Sequence, residues 1–153
     1  MNHLKQQNIP IHGLVVGGPH RRKTAFLEEL KERTRSIDLE SEITFLGHRN
    51  DIKEIISVSD IVLSLAKEPE AFGRTALEAL CLGIPVIAYN HGGAAEILAK
   101  MYPHGRVEPG NTTSTCDKIM LSYNHAVPVP DKNFFTLEKM LDETLSLYSK
   151  GTP

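Results

Sequence analysis

Short apolar runs alternate with amphipathic stretches along this chain of 153 residues. The apolar runs predict five strands, at residues 11–16, 43–46, 60–65, 85–89 and, at an edge, near 105–107. Strands that are separated by helices favour right-handed crossovers, which build a parallel sheet with helices on both faces. The sequence therefore predicts a Rossmann-like α/β fold in one domain, with ligands at the carboxyl ends of the strands.

The predicted helices lie at residues 21–35, 50–58, 75–80, 93–101 and 134–150, with one more within 111–125. Gly83 is expected to end the third helix in the left-handed conformation, since Pro85 follows it closely. The terminal helix carries an apolar stripe at helical spacing, and this stripe is interpreted as core packing. Its members are Phe135, Leu137, Met140, Leu141, Thr144, Leu145 and Tyr148.

Charge and composition exclude several classes of protein. Seventeen basic and nineteen acidic residues give a net charge of −2, so no strong field recruits nucleic acid or an anionic membrane. No apolar run is long enough to span a bilayer, and the first residues lack the apolar core of a signal peptide, so a cytoplasmic location is expected. Cys81 and Cys116 belong to no motif, and the seven histidines are scattered, so no metal site is expected.

Two carboxylates eight positions apart, Glu70 and Glu78, flank the predicted start of a helix. The first N–H groups of a helix have no internal partner and attract anions, and Gly73 lets the backbone approach closely. A phosphate on the N–H groups of Gly73, Arg74 and Thr75 would leave Glu78 one turn further along, in reach of a ribose diol. Glu70 would then face a group attached beyond the phosphates, such as a sugar.

The segment Glu70-Ala-Phe-Gly-Arg-Thr-Ala-Leu-Glu78 is followed by a Gly-Ile-Pro stop at 83–85 and by His91-Gly92-Gly93. These motifs together resemble the Glu-x7-Glu region of retaining glycosyltransferases with the GT-B fold, in family 4 (group 1). The resemblance covers nearly all of this chain, but only the larger part of one of the two domains of such enzymes. It implies the C-terminal, donor-binding half of a GT-B fold, and it implies that the first strand of that half is missing from this chain.

The resemblance implies a role for each residue that matches the motif. Glu70 would be the catalytic residue at the donor sugar, and Glu78 would hold the ribose. The diphosphate would lie on the backbone of four consecutive residues, Phe72, Gly73, Arg74 and Thr75. The substrate would be a nucleoside-diphosphate sugar such as a UDP-sugar or a GDP-sugar, and no cofactor or metal ion would be required.

Two strand-end loops are expected to join this site. Gly17 and Gly18 are similar to the glycine turn that follows an Ile-Val-Gly strand in the family. Gly47 and His48 are similar to its Phe-Leu-Gly turn, which borders the nucleobase. For His48, the alternative is that it is a loop histidine with no role in binding, and the sequence favours neither interpretation.

The resemblance also implies partners that this chain does not supply. An acceptor domain is expected to precede it, together with a strand and loop whose Arg and Lys neutralise the departing diphosphate. Any peripheral contact with a membrane would occur through that half, and the acceptor would be a glycan or a lipid-linked glycan. Alone, the fragment is expected to be inactive. Its strands at residues 11–16 and 60–65 are expected either to pair with each other directly or to self-associate through their unpaired edges.

Three alternatives to a sugar transferase share parts of this pattern. A nicotinamide oxidoreductase would have a parallel sheet, but the Gly-x-Gly-x-x-Gly fingerprint is missing after the first strand. A nucleotide-sugar epimerase would release an isomerised sugar nucleotide, whereas a transferase needs an acceptor. A noncatalytic module would bind the nucleotide sugar without transferring it.

Overall fold

A computed structural model of the chain describes residues 1–18, 24–125 and 127–150. Across these residues, helices alternate with strands in an α/β arrangement, as the sequence predicts. In chain order the elements are α1 (Asn2–Gln6), β1 (Gly13–Val16), α2 (Thr24–Ser36), β2 (Ile43–Gly47), α3 (Ile52–Ser57), β3 (Val62–Ser64), α4 (Arg74–Cys81), β4 (Val86–Tyr89), α5 (Gly92–Met101), β5 (Arg106–Val107), α6 (Thr112–Asn124) and α7 (Leu137–Lys150). A 3-10 turn at Pro103–Gly105 leads into β5.

All five predicted strands are present, although β1 and β3 are shorter than the apolar runs that predicted them. The predicted start of α2, at residues 21–23, lies outside the described residues. Gly83 has φ +77°, which confirms the left-handed end of α4. Helix α7 begins three residues later than predicted, because the Thr136 hydroxyl accepts a hydrogen bond of 3.3 Å from the Lys139 amide and so caps the first turn.

The chain divides into two compact units, Met1–Ile52 and Lys53–Pro153. In the first unit, β1 and β2 pair in parallel, with Gly13 opposite Ile43. In the second unit, β4 is the middle strand of a parallel three-stranded sheet with the order β3-β4-β5. Parallel pairing is therefore confirmed within each sheet.

The core of the second unit surrounds β4. Val86, Ile87 and Ala88 are 0–1% exposed, and helices α4 and α5 pack against this strand. Ala76 and Ala79 are also fully buried, and their small side chains let α4 lie close to its neighbours. This packing holds the strand ends and the helix starts that carry the candidate site.

The apolar stripe of α7 does not form part of the core. Leu137 is 66% exposed and Tyr148 is 77% exposed, and Met140, Leu141 and Leu145 are about half exposed or more. The prediction of core packing for this stripe is wrong, because helical periodicity reports which face is apolar and not whether another element covers it. Phe135, just before the helix, is the member of the stripe that packs more closely.

Among the described residues, no helix is both long enough and apolar enough to cross a membrane.

Candidate functional site

The candidate site of the second unit forms where two parallel strands end. Ser64 at the end of β3 lies opposite Ala88 of β4, so the segments that follow the two strands leave the same edge of the sheet. After β3 comes a loop at residues 65–73, which includes Glu70 and is called here the Glu70 loop. After β4 comes the short turn into α5. The sheet therefore brings together the two segments that the sequence marks as functional.

The Glu70 loop lies directly on the start of α5. The Gly93 amide donates a hydrogen bond of 2.8 Å to the Glu70 carbonyl. A Cβ added at Gly93 would lie 2.4 Å from the Phe72 carbonyl carbon, and one at Gly92 would lie 2.6 Å from the Glu70 carbonyl oxygen. Only glycine permits this approach of two backbones, so the Gly-Gly pair has a structural reason.

Gly73 joins the loop to α4. It has φ +79° and is the N-cap of the helix, and a Cβ there would lie 2.7 Å from the Ala94 nitrogen. A glycine N-cap offers no side chain, and the first turn of α4 contains no acidic residue. The amides of Arg74 and Thr75 therefore lie in a first turn that no side chain of the N-cap satisfies.

Glu78 is already paired. Its Oε1 lies 3.2 Å from Nη2 of Arg74, one turn earlier on the same helix. The Arg74 side chain is 82% exposed, and exposed pairs with this spacing contribute about 0.3–0.5 kcal/mol. A ligand hydroxyl can displace so weak a pair. Sequence reasoning did not identify this pairing, although the four-residue spacing was a readable signal.

Phe72 links the loop to the C-terminal segment. Its ring meets the Phe135 ring edge to face, with centroids 6.2 Å apart, and Lys100 Nζ lies 5.2 Å from the Phe135 centroid. Phe72 nevertheless remains 47% exposed. The segment before α7 thus supports one side of the Glu70 loop, and nothing in the motif pattern indicated this contact.

A small, open pocket lies between the Glu70 loop and the end of β4. It is lined by Ser64, Ala66, Glu68, Glu70, Tyr89, His91 and Ala94. Two of these side chains are carboxylates from the loop, and carboxylates can accept hydrogen bonds from sugar hydroxyls. Sequence reasoning did not assign Tyr89 or His91 to a pocket, although both lie at the carboxyl end of a predicted parallel strand.

The first unit brings its own predicted residues together. The Gly17 amide donates a hydrogen bond of 2.8 Å to the Gly47 carbonyl, and a Cβ added at Gly18 would lie 3.5 Å from the His48 Cβ. Gly17 and Gly47 have φ +128° and +66°, which side chains other than glycine rarely adopt. The two strand-end loops therefore adjoin, and their role at a nucleobase stays a prediction.

The Arg49 side chain pairs with a carboxylate two residues along the chain. Its guanidinium donates two hydrogen bonds to the Asp51 carboxylate, and the first of them measures 2.8 Å. These bonds hold the pKa of Asp51 below its ordinary value. Arg21 and Arg22 lie outside the described residues. Among the described residues, no group of three or more His, Cys, Asp or Glu side chains is arranged to hold a metal ion.

A family model described as glycosyl transferases group 1 matches residues 1–124, most of the chain. The chain belongs to this family. Its structural neighbours are glycosyltransferases of the GT-B type. The family match spans both the strand-end loops of the first unit and the Glu70 loop of the second.

Two relatives and one solved structure illustrate the likeness of this group 1 glycosyltransferase chain to other proteins. Mannosylfructose-phosphate synthase of Agrobacterium fabrum is 40% identical over 85 residues, which are 52% of this chain and 18% of that enzyme. Lipopolysaccharide core biosynthesis mannosyltransferase LpsB of Rhizobium meliloti is 36% identical over 81 residues, 53% of this chain and 22% of that enzyme. The chain thus spans about a fifth of the length of the curated relatives it matches.

The solved structure is that of Anabaena Alr3699/HepE in complex with UDP. It is 27% identical, has a TM-score of 0.69, and aligns with 74% of this chain and 31% of its own. Another structure of the same Anabaena protein contains UDP-glucose. The likeness to this group 1 chain extends to tertiary structure.

Proposed function

We propose that this chain is the donor-binding part of a retaining glycosyltransferase of family 4, which transfers a sugar from a nucleoside-diphosphate sugar to an acceptor. One observation carries the proposal: the Glu70 loop rests on α5 and leads through Gly73 into the uncapped first turn of α4. Glu70 and Glu78 thereby flank a first turn suited to an anion. The UDP and UDP-glucose complexes of the similar Anabaena protein support the choice of donor.

Each part of the donor has a proposed contact. The diphosphate lies at the amides of Gly73, Arg74 and Thr75, the ribose diol binds Glu78, and the sugar enters the pocket beside Glu70. As the bond to the sugar breaks, negative charge grows on the diphosphate, and oriented amides stabilise it. No metal ion is assigned to this step, and basic groups of an accompanying half would add to the stabilisation.

The acceptor that we propose is a glycan or a lipid-linked glycan. The similarity to a lipopolysaccharide core mannosyltransferase supports this class of acceptor. An acceptor-binding half would provide its site, and any contact with a membrane surface would occur there. Transfer by the 153-residue chain alone is not expected.

Donor binding can be tested directly on the chain by NMR titration. UDP, UDP-glucose, GDP-mannose and NAD would be added in separate experiments, with the amide signals of residues 73–75 as the readout. We expect shifts with UDP or GDP donors and none with NAD. If NAD moves these signals and no sugar nucleotide does, the proposal is wrong.

Two substitutions separate the roles of the carboxylates. Glu78→Gln should weaken binding of UDP and of UDP-glucose alike, by roughly tenfold or more, because a hydrogen bond to a charged group contributes about 1.5–3 kcal/mol. Glu70→Gln should leave UDP binding intact and weaken UDP-glucose. Glu54→Gln is the matched control, since this carboxylate is exposed on α3 and does not line the pocket. Calorimetry that shows equal loss of UDP binding in the Glu70 and Glu78 variants would refute the division of roles.

A further inference from the structure

The turn that follows β4 contacts the Glu70 loop at two points, Glu70 and Ala66. One contact is the backbone hydrogen bond of 2.8 Å from the Gly93 amide to the Glu70 carbonyl. The other comes from a side chain: His91 Nε2 lies 3.1 Å from the Ala66 carbonyl oxygen. Among the described residues, no other side chain hydrogen-bonds to the backbone of this loop. His91 is therefore the one described side chain that holds the backbone of this loop by a hydrogen bond.

The direction of this hydrogen bond defines the state of the imidazole. A carbonyl oxygen can only accept, so Nε2 of His91 must carry the hydrogen. In the neutral ring, Nδ1 then has the lone pair. The Tyr89 ring packs against the imidazole at an interplanar angle of 68°, with the two ring centroids 5.9 Å apart. The imidazole thus has two neighbours, the Ala66 carbonyl and the Tyr89 ring.

His91 lies at a position where a side chain usually caps the helix, but its hydrogen bond goes to the loop. It is the N-cap of α5, yet its side chain makes no capping hydrogen bond. An N-cap side chain ordinarily accepts from the second or third amide of the helix. Here the second amide, that of Gly93, is satisfied by the Glu70 carbonyl instead. The loop caps the helix, and the residue at the cap position holds the loop.

We propose that His91 is a positioning residue, whose Nε2–H fixes the Glu70 loop on α5 and so places the Glu70 carboxylate at the pocket. Holding the loop is independent of any ligand. The consequence for the donor sugar rests on the proposed function. His91 touches no reacting atom in this scheme and acts through Glu70.

Amide hydrogen exchange of Gly93 tests the loop contact without a ligand. His91→Leu removes the donor, while His91→Gln keeps an N–H donor on a side chain of similar reach. We expect exchange of the Gly93 amide to become about fivefold faster in the Leu variant, since a typical hydrogen bond contributes about 1 kcal/mol, and to recover in the Gln variant. The Ile87 amide in β4 is the internal control and should not change.

Unchanged Gly93 exchange in the Leu variant would overturn the proposal. So would a general rise that includes Ile87, because it would show that His91 only supports the fold. Nitrogen-15 NMR of the imidazole at pH 8 gives a second reading. It should show the Nε2–H tautomer, and an Nδ1–H tautomer would contradict the contact.

The ligand-dependent part is tested by calorimetry with UDP and UDP-glucose. His91→Leu should weaken UDP-glucose by about fivefold and leave UDP unchanged, the pattern expected for a misplaced Glu70. Equal weakening of both ligands would contradict a role through Glu70. If the unmodified chain binds neither ligand, the proposed function fails, while Gly93 exchange still decides whether His91 holds the loop.

Discussion

Strands β1 and β4 have similar apolar sequences and different surroundings. The three leading residues of β4 are at most 1% exposed, whereas Leu14, Val15 and Val16 of β1 are 37–42% exposed. Strand β4 has a parallel neighbour on each side, with α4 and α5 packed against it. Among the described residues, β1 pairs with β2 alone. An apolar run therefore specifies a strand, and the neighbours of that strand decide whether it is buried.

The two units also differ in the interactions that support them. The second unit relies on burial around β4, whereas the first adds a cluster of partly exposed ion pairs to its few buried side chains. Lys5 Nζ lies 3.0 Å from a Glu42 carboxylate oxygen and 3.3 Å from an Asp38 carboxylate oxygen. Ion pairs that water reaches contribute little to stability, less than one buried aliphatic side chain does. The largest mutational effects are therefore expected in the second unit.

The strongest test compares Ile87→Ala in β4 with Leu14→Ala in β1. Both changes remove a branched aliphatic side chain from a parallel strand, but only Ile87 is fully buried. Ile87→Ala should lower the free energy of unfolding by about 2–5 kcal/mol through lost burial and a cavity. Leu14→Ala should cost about 1 kcal/mol, since much of that side chain remains in water. Urea unfolding followed by circular dichroism measures both.

Equal costs for the two substitutions would break the comparison. They would mean that β1 is buried in solution, and a second copy of the chain is the partner that we would then test. Repeating the Leu14→Ala measurement over a range of protein concentrations would reveal such a partner, because its contribution would grow with concentration.

The sequence predicted the elements better than their surroundings. Alternating apolar runs and helical stretches gave all five strands, since local periodicity reports local structure. The same reasoning misjudged α7, whose apolar stripe is as periodic as a core helix but is exposed. Whether an apolar face is buried depends on contacts between distant segments, and periodicity contains no information about those contacts.

The candidate site also contains features that the sequence predicted and features that it did not. The place of Gly73 at the start of α4 followed from the motif and from helix signals, because a glycine there relieves a local constraint. The contact from His91 to Ala66 could not be predicted in this way, since it joins residues 25 positions apart. The parallel pairing of β3 with β4 brings their two segments together. The ligand roles of Glu70 and Glu78 stay predictions from the family pattern.

A second test changes β1 at the edge that pairs with no strand of the described residues. Apolar strands with an open edge recruit other chains, and a lysine on such a strand opposes pairing. We expect the chain to self-associate, and Val15→Lys to raise the dissociation constant at least about tenfold, or about 1.4 kcal/mol. Val58→Lys is the matched control, because Val58 is 78% exposed and lies just after α3. Light scattering coupled to size exclusion measures association.

A monomer at every concentration would refute self-association through β1. An equal effect of Val58→Lys would show that added positive charge, rather than the strand edge, controls association.

The smallest expected effect concerns the ion pairs of the first unit. A hydrogen bond from Lys5 lowers the pKa of Glu42 below its ordinary value of 4.5. A carboxylate whose pKa is lowered in the folded state adds stability above its unfolded pKa, and that stability is lost as the pH falls through the folded pKa. Glu42→Gln should therefore lower the thermal midpoint at pH 7 by a small amount, and the difference should shrink below about pH 4.5. Glu29→Gln is the matched control, since Glu29 is exposed on α2 and makes no ion pair with any described residue. If the curves of midpoint against pH for the Glu42 variant and the unmodified chain run parallel from pH 7 to pH 3, Lys5 and Glu42 do not stabilise the first unit as a pair.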